Sequence, residues 1–170
     1  MADPGTRFLG RGKPGRREQP AHESLGSRVT LAEVPLTGLS SAAQAGLKKA
    51  DMILVDTSIW IDHLRRGDRH LAVRLEAGDV VCHPFVIGEL ACGSLSKRHE
   101  ILELLDALPR TDQVAHEEIL AFIDERHLHG GGIGLIDAHL LYAAVAKGHV
   151  VWTPDARLRR IAAHLGVDCG

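Results

Sequence analysis

An α/β domain built on a mainly parallel sheet is the fold class that this sequence predicts, and three observations carry the prediction. Three short apolar runs, Ile53-Leu54-Val55, Val80-Val81-Cys82 and His149-Val150-Val151-Trp152, are each followed by residues with helical spacing. Runs that are apolar throughout, rather than alternating, suit strands buried on both faces. Strands that alternate with helices imply right-handed crossovers and a parallel sheet, so residues 52–170 are expected to form a compact three-layer α/β/α domain.

The chain of 170 residues is 45% hydrophobic, enough for a real core. Its apolar runs fall far short of the roughly 18 residues of a membrane span, and no signal pattern opens it. A cytoplasmic protein without membrane attachment is expected. Three cysteines with no C-x-x-C spacing indicate neither a disulfide framework nor a thiolate zinc site, and Cys82, Cys92 and Cys169 read as small buried hydrophobes. Residues 52–170 carry twelve Lys or Arg against seventeen Asp or Glu. A domain this acidic must reach any polyanion through a local basic patch or through bound cations.

Residues 1–51 form an N-terminal extension. Its first part, typified by Gly10-Arg-Gly-Lys-Pro-Gly-Arg-Arg17, has no apolar period and cannot offset its chain entropy, so disorder is expected. A short strand over 29–34 and a short helix over 41–49, capped by Ser40 or Ser41, are the exceptions. From Met52 onward the first strand ends at Asp56, and Thr57 or Ser58 can cap a helix carrying Ile59, Ile61 and Leu64. A second helix through Leu71, Val73 and Leu75 stops at Gly78. Pro84 suits the first turn of a third helix, since its missing N–H is not needed there. The apolar period then predicts helices over about 97–108 and 116–128, a glycine joint over 130–134, a buried helix over 135–146 and a last helix over 155–165.

Four acids fall where this map brings chain ends together: Asp56, Glu89, Asp137 and Asp155. In open α/β sheets the carboxyl ends of strands line the ligand crevice. Glu89 sits mid-helix among Phe85, Val86, Ile87, Leu90 and Ala91, where capping cannot explain it. Asp137 and Asp155 stand at helix starts, so capping competes with function for both. Two carboxylates 4 Å apart repel by about 4 kcal/mol at an effective dielectric near 20, so acids gathered together call for a divalent cation or a proton. An all-oxygen site suits Mg²⁺ or Mn²⁺, and its chemistry is hydrolysis of a phosphodiester by an activated water.

Val55-Asp56-Thr57-Ser58, the Pro-x-x-x-x-Glu spacing that ends at Glu89, Gly134-Leu-Ile-Asp-Ala-His-Leu140 and Thr153-Pro-Asp155 together resemble PIN-domain ribonucleases, most closely the VapC toxins of toxin–antitoxin pairs. The resemblance covers 52 to about 167 and implies a PIN-like fold and a metal-dependent endoribonuclease using Mg²⁺ or Mn²⁺. It also implies an RNA substrate, a homodimer and an inhibitory VapB antitoxin. Carried over residue by residue, it makes Asp56, Glu89, Asp137 and Asp155 the catalytic metal ligands, with Asp155 acting through water or a second metal. Thr57, Ser58 and Thr153 then supply supporting hydroxyls. Two departures stand out: the extension has no counterpart, and Pro154 takes a place where a basic residue is common.

Arg65, Arg66 and Arg69 cluster near the first acid, and Arg157, Arg159 and Arg160 lie on the last helix. They read either as an RNA-holding rim, with Arg65, Arg66 and Arg157 as the contact candidates, or as solvated helix faces. Eleven histidines invite a zinc reading, but His127 and His129 are two apart rather than at chelate spacing. Surface histidines are expected, with His139 near the acids' outer shell. Trp60 and Trp152 read as core. Gly130–Gly134 lacks the Lys-Ser/Thr of a phosphate-binding loop and reads as a hinge or lid. Two alternatives remain, a PIN-like module without catalysis and a haloacid-dehalogenase-type phosphatase; the latter wants an Asp at position 58, which is Ser.

Overall fold

The computed structural model describes residues 52–170; the extension, with its expected disorder, strand and helix, lies outside the described residues. The elements run β1 (Ile53–Val55), α1 (Thr57–Arg66), α2 (Arg69–Ala77), β2 (Val80–Val81), α3 (Pro84–Cys92), α4 (Arg98–Asp106), α5 (His116–Glu125), α6 (Leu135–Lys147), β3 (Val150–Trp152) and α7 (Ala156–Leu165). The sheet is three-stranded and parallel, in the order β2-β1-β3. Helices flank it, and central β1 is buried along its whole length, as an all-apolar run requires.

The register fixes the geometry of everything above it. Ile53 pairs with both Val80 and Val150, and Val55 pairs with Trp152. Single bridges widen the sheet on both sides, Cys82 with Arg110 and Val151 with Asp168. Two apolar clusters result. One joins β1 and β2 to α1 through α4, with Trp60 and Leu54 at its centre; the other packs Val151 of β3 against α5, α6 and α7.

Several local expectations are corrected. β2 is a strand only over Val80–Val81, and Cys82 contributes one bridge. The fourth and fifth helices end earlier than their apolar stripes suggest, at Asp106 and Glu125. Pro109 cannot continue a helix, and His127 takes a left-handed φ of 53°. Cys92 is exposed rather than buried, while Cys82 lies in the core, where burial pushes its thiol up to about 12. His63, His83, His139 and His149 are buried, against the expectation of surface histidines. Trp60 is core as expected, whereas Trp152 is half-buried. Among the described residues no helix is long and apolar enough to cross a membrane.

His83 shows why a histidine is buried here. It stands before Pro84 as the N-cap of α3, and its Nδ1 accepts the Phe85 N–H at 3.1 Å. Burial, then the neighbouring His139, lowers its pKa from 6.5 to about 4. The unfolded chain therefore takes up this proton first as pH falls. The stability contributed by neutral His83 is complete above about pH 6.5 and is lost progressively toward pH 4. His83→Asn keeps an acceptor at the cap but nothing that titrates. Urea unfolding at pH 7 and pH 5 should show the variant losing about 2 kcal/mol less than the parent over that interval; equal losses would contradict this role.

Candidate active site

β1 delivers Asp56 to the carboxyl edge of the sheet, and the next rung of the ladder holds it there. The Asp56 N–H donates to the Trp152 carbonyl at 3.0 Å, which brings Thr153 alongside. Thr153 Oγ1 donates to Asp56 Oδ2 at 2.8 Å, and Ser58 Oγ donates to the same oxygen at 2.7 Å. Thr153 thus donates to a carboxylate 97 positions away in the chain, on the same oxygen that Ser58 uses. Asp56 is itself the N-cap residue of α1, so Thr57 and Ser58 lie inside the first turn, and neither caps the helix as expected. Their hydroxyls are turned to acids instead: Thr57 Oγ1 donates to Glu89 Oε2 at 2.5 Å, tying α3 to the start of α1.

Asp137 occupies the first turn of α6 and accepts the Gly134 N–H at 2.8 Å on Oδ2. Burial raises its pKa above the ordinary carboxylate value; the Gly134 N–H opposes this, and the charges of Asp56, Asp155 and Glu89 raise it further. All four acids expected from the sequence therefore meet electrostatically at Asp137. Asp155 is the N-cap of α7, its Oδ1 accepting from the Arg157 and Leu158 N–H groups at 2.7 and 3.0 Å. Those two donors hold its pKa below the ordinary value. Capping is thus realised at both Asp137 and Asp155. Thr153 links this acid to the first, because Oγ1 also accepts the Asp155 N–H at 3.0 Å.

Burial at the site is less than the sequence suggests. Asp56 and Asp137 are half-buried, while Glu89 and Asp155 are exposed. Glu89 lies among apolar residues along the chain, yet with Gly88 and Cys92 it forms the solvent side of α3, while Val86 and Leu90 face the core. Each acid also satisfies a local donor, so the group is not held together by a cation alone. Among the described residues no three His, Cys, Asp or Glu side chains are gathered closely enough to hold a metal ion. The donor set is nonetheless all oxygen and is mutually repulsive at Asp137, which suits a hard divalent cation rather than zinc.

The remaining candidates divide. Arg65 and Arg66 are exposed on the last turn of α1, and Arg66 pairs with Asp62 at 2.6 Å. Arg157 lies against the glycine loop, its Cδ 3.2 Å from where a Cβ on Gly132 would stand, so Gly130–Gly134 serves as a seat for this arginine. Gly132 has φ +76°, which its lack of a side chain permits. His139 packs edge-on against Phe85 at 4.5 Å and beside His83, a core role rather than an outer-shell one. Sequence reasoning missed the Gly134 N–H as a partner of Asp137, although a glycine three residues before a first-turn acid is a legible signal.

The PIN domain family model matches residues 53–164, which includes all four acids. Ribonuclease VapC32 of Mycobacterium tuberculosis, in the strains CDC 1551 / Oshkosh and ATCC 25618 / H37Rv, is 45% identical over 117 residues, covering 68% of this chain and 94% of the relative. A comparison with solved structures returns no significant match. On the family match and on near end-to-end similarity to that relative, the chain belongs to the PIN domain family, among its VapC-type members.

Proposed function

We propose that this chain is a divalent-cation-dependent endoribonuclease acting as the toxin of a VapBC-type toxin–antitoxin pair. The observation that carries the reading is Asp56, held at the end of β1 by Ser58 and Thr153 and coupled by charge to Asp137, on which Glu89 and Asp155 also act. The similarity to a ribonuclease over nearly all of that relative supports it. Asp56, Glu89 and Asp137 are the residues that would hold the cation, their side chains drawing closer together around it than they stand here, with Asp155 joining through water. Bound there, Mg²⁺ or Mn²⁺ supplies an activated water and offsets phosphate charge.

The chain's own residues do the positioning. Both hydroxyls on Asp56 donate to Oδ2, which orients the carboxylate and leaves Oδ1 clear of them. Thr57 holds Glu89 over the start of α1. Asp137, whose anion is disfavoured by burial and like charge, gains most from a nearby cation. The N-termini of α1, α6 and α7 carry three of the acids, and their partial positive charge offsets some of the repulsion. The phosphatase alternative is disfavoured because Ser58 supports Asp56 rather than supplying a second acid. A purely binding PIN-like module is disfavoured because all four acids are present and coupled. A homodimer and a VapB-type antitoxin complete the reading, with the work done in the cytoplasm.

Asp56→Asn should abolish RNA cleavage with its fold intact, and chelation with EDTA should silence the parent until Mg²⁺ or Mn²⁺ is returned. A variant that cut RNA at the parent rate would end the proposal. Thr153→Val should lower Mn²⁺ affinity by about 10- to 100-fold in calorimetry, as loss of a ligand-orienting partner does; unchanged affinity would show that the hydroxyl is dispensable. Light scattering should give twice the chain mass, and a monomer at micromolar concentration would remove the dimer.

A further inference from the structure

A cavity of about 380 Å³ lies between the end of α5, the glycine loop and α7, and none of the four acids lines it. Its polar lining is Arg126, His127, Arg160 and His164, and no carboxylate lines it. That composition stands out in a domain with seventeen acids against twelve Lys and Arg. Among the described residues neither Arg126 nor Arg160 enters an ion pair, whereas Arg66, Arg74 and Arg110 each do. All four basic side chains of the cavity are exposed.

Helix α7 connects this cavity to the acids. Arg157, Arg160, Ile161 and His164 are spaced by three, four and seven residues, which places them along one face. That face starts beside Asp155, passes Arg157 on Gly132, and reaches His164 about 10 Å further on at 1.5 Å per residue. Arg159 is rotated about 200° from Arg157 and does not line the cavity. A phosphodiester in the cavity would therefore be a neighbour of the one at the acids, not the reacting one.

We infer that the cavity lined by Arg126, His127, Arg160 and His164 is a subsite for a backbone phosphate of single-stranded RNA, positioning the strand that Asp56 and its partners cut. The inference rests on the nuclease reading and deepens it. Guanidinium forks match phosphate oxygens in pairs, and a roomy, carboxylate-free setting leaves those forks available. Continuity with the acids through Arg157 favours RNA over an acidic segment of a partner protein.

The test uses the full chain carrying Asp56→Asn, so that RNA stays whole, and a 5′-labelled mixed-sequence single-stranded RNA dodecamer as probe. Adding Arg126→Gln with Arg160→Gln should weaken binding on the order of 10-fold, and should flatten the slope of log affinity against log salt by about 0.7 for each phosphate no longer neutralised. Arg159→Gln, which removes equal charge per residue from the far side of α7, should change affinity less than about 2-fold. With Asp56 restored, the double variant should raise KM for RNA and leave kcat near the parent's. Unchanged dodecamer affinity and salt slope would overturn the subsite while leaving the nuclease reading to the Asp56 experiment. An equal loss from Arg159→Gln, or loss of antitoxin binding with RNA binding intact, would overturn it as well.

Discussion

The pairing of β1 with β3 is the constraint on which the rest depends. Because Val55 sits opposite Trp152, the next residues along, Asp56 and Thr153, emerge side by side at the carboxyl edge. A slip of one residue would turn the side chains of the slipped strand to the opposite face, separating the Thr153 hydroxyl from the Asp56 carboxylate and disturbing the packing of the strands against the helices. The full burial of β1 opposes such a slip. Core packing and site geometry are thus secured by the same register.

Above that edge the structure manages repulsion by several small means. Asp56 takes two hydroxyl donors, Glu89 one, Asp137 a backbone N–H and Asp155 two. A hydrogen bond to a charged group contributes about 1.5–3 kcal/mol, comparable with the repulsion of a nearby carboxylate pair at intermediate dielectric. These donors let acids from four parts of the chain share a region without being fully buried. The charges still reach Asp137, where burial and like charge together hold the carboxyl above its usual range. Asp155, exposed and given two N–H donors, is held below it. Two acids of one group are thereby pushed in opposite directions by their surroundings.

The two ends of the site differ in character. On the α1 side the exposed arginines are partly engaged, Arg66 with Asp62. On the α7 side Arg157 rests on glycine, and the helix carries basic groups onward to a cavity without acids. Among the described residues, α7 carries Arg157, Arg159 and Arg160 with no acid between its N-cap Asp155 and its end.

Much of this was legible along the chain. The apolar runs at 53–55 and 80–81 are fully buried strands, as expected, while in the run at 150–152 only Val151 is fully buried, and Gly78, Gly148 and Gly166 close helices where left-handed residues are needed. The four acids were legible by residue type and position, and Pro84 by its tolerance of a first turn. What one dimension could not reveal is facing. Glu89 among apolar neighbours reads as buried, yet the helical period turns it outward with Gly88 and Cys92. Thr57 and Ser58 read as caps, yet the closeness of α3 gives the Thr57 hydroxyl Glu89 as its partner, and the Ser58 hydroxyl turns back to Asp56. The sequence by itself determined which segments are strands and helices and which side chains carry charge, since those follow from local period and chemistry. Only the tertiary structure decided which acids meet, which histidines are buried and where the basic cavity opens, because these depend on contacts between residues far apart in the chain.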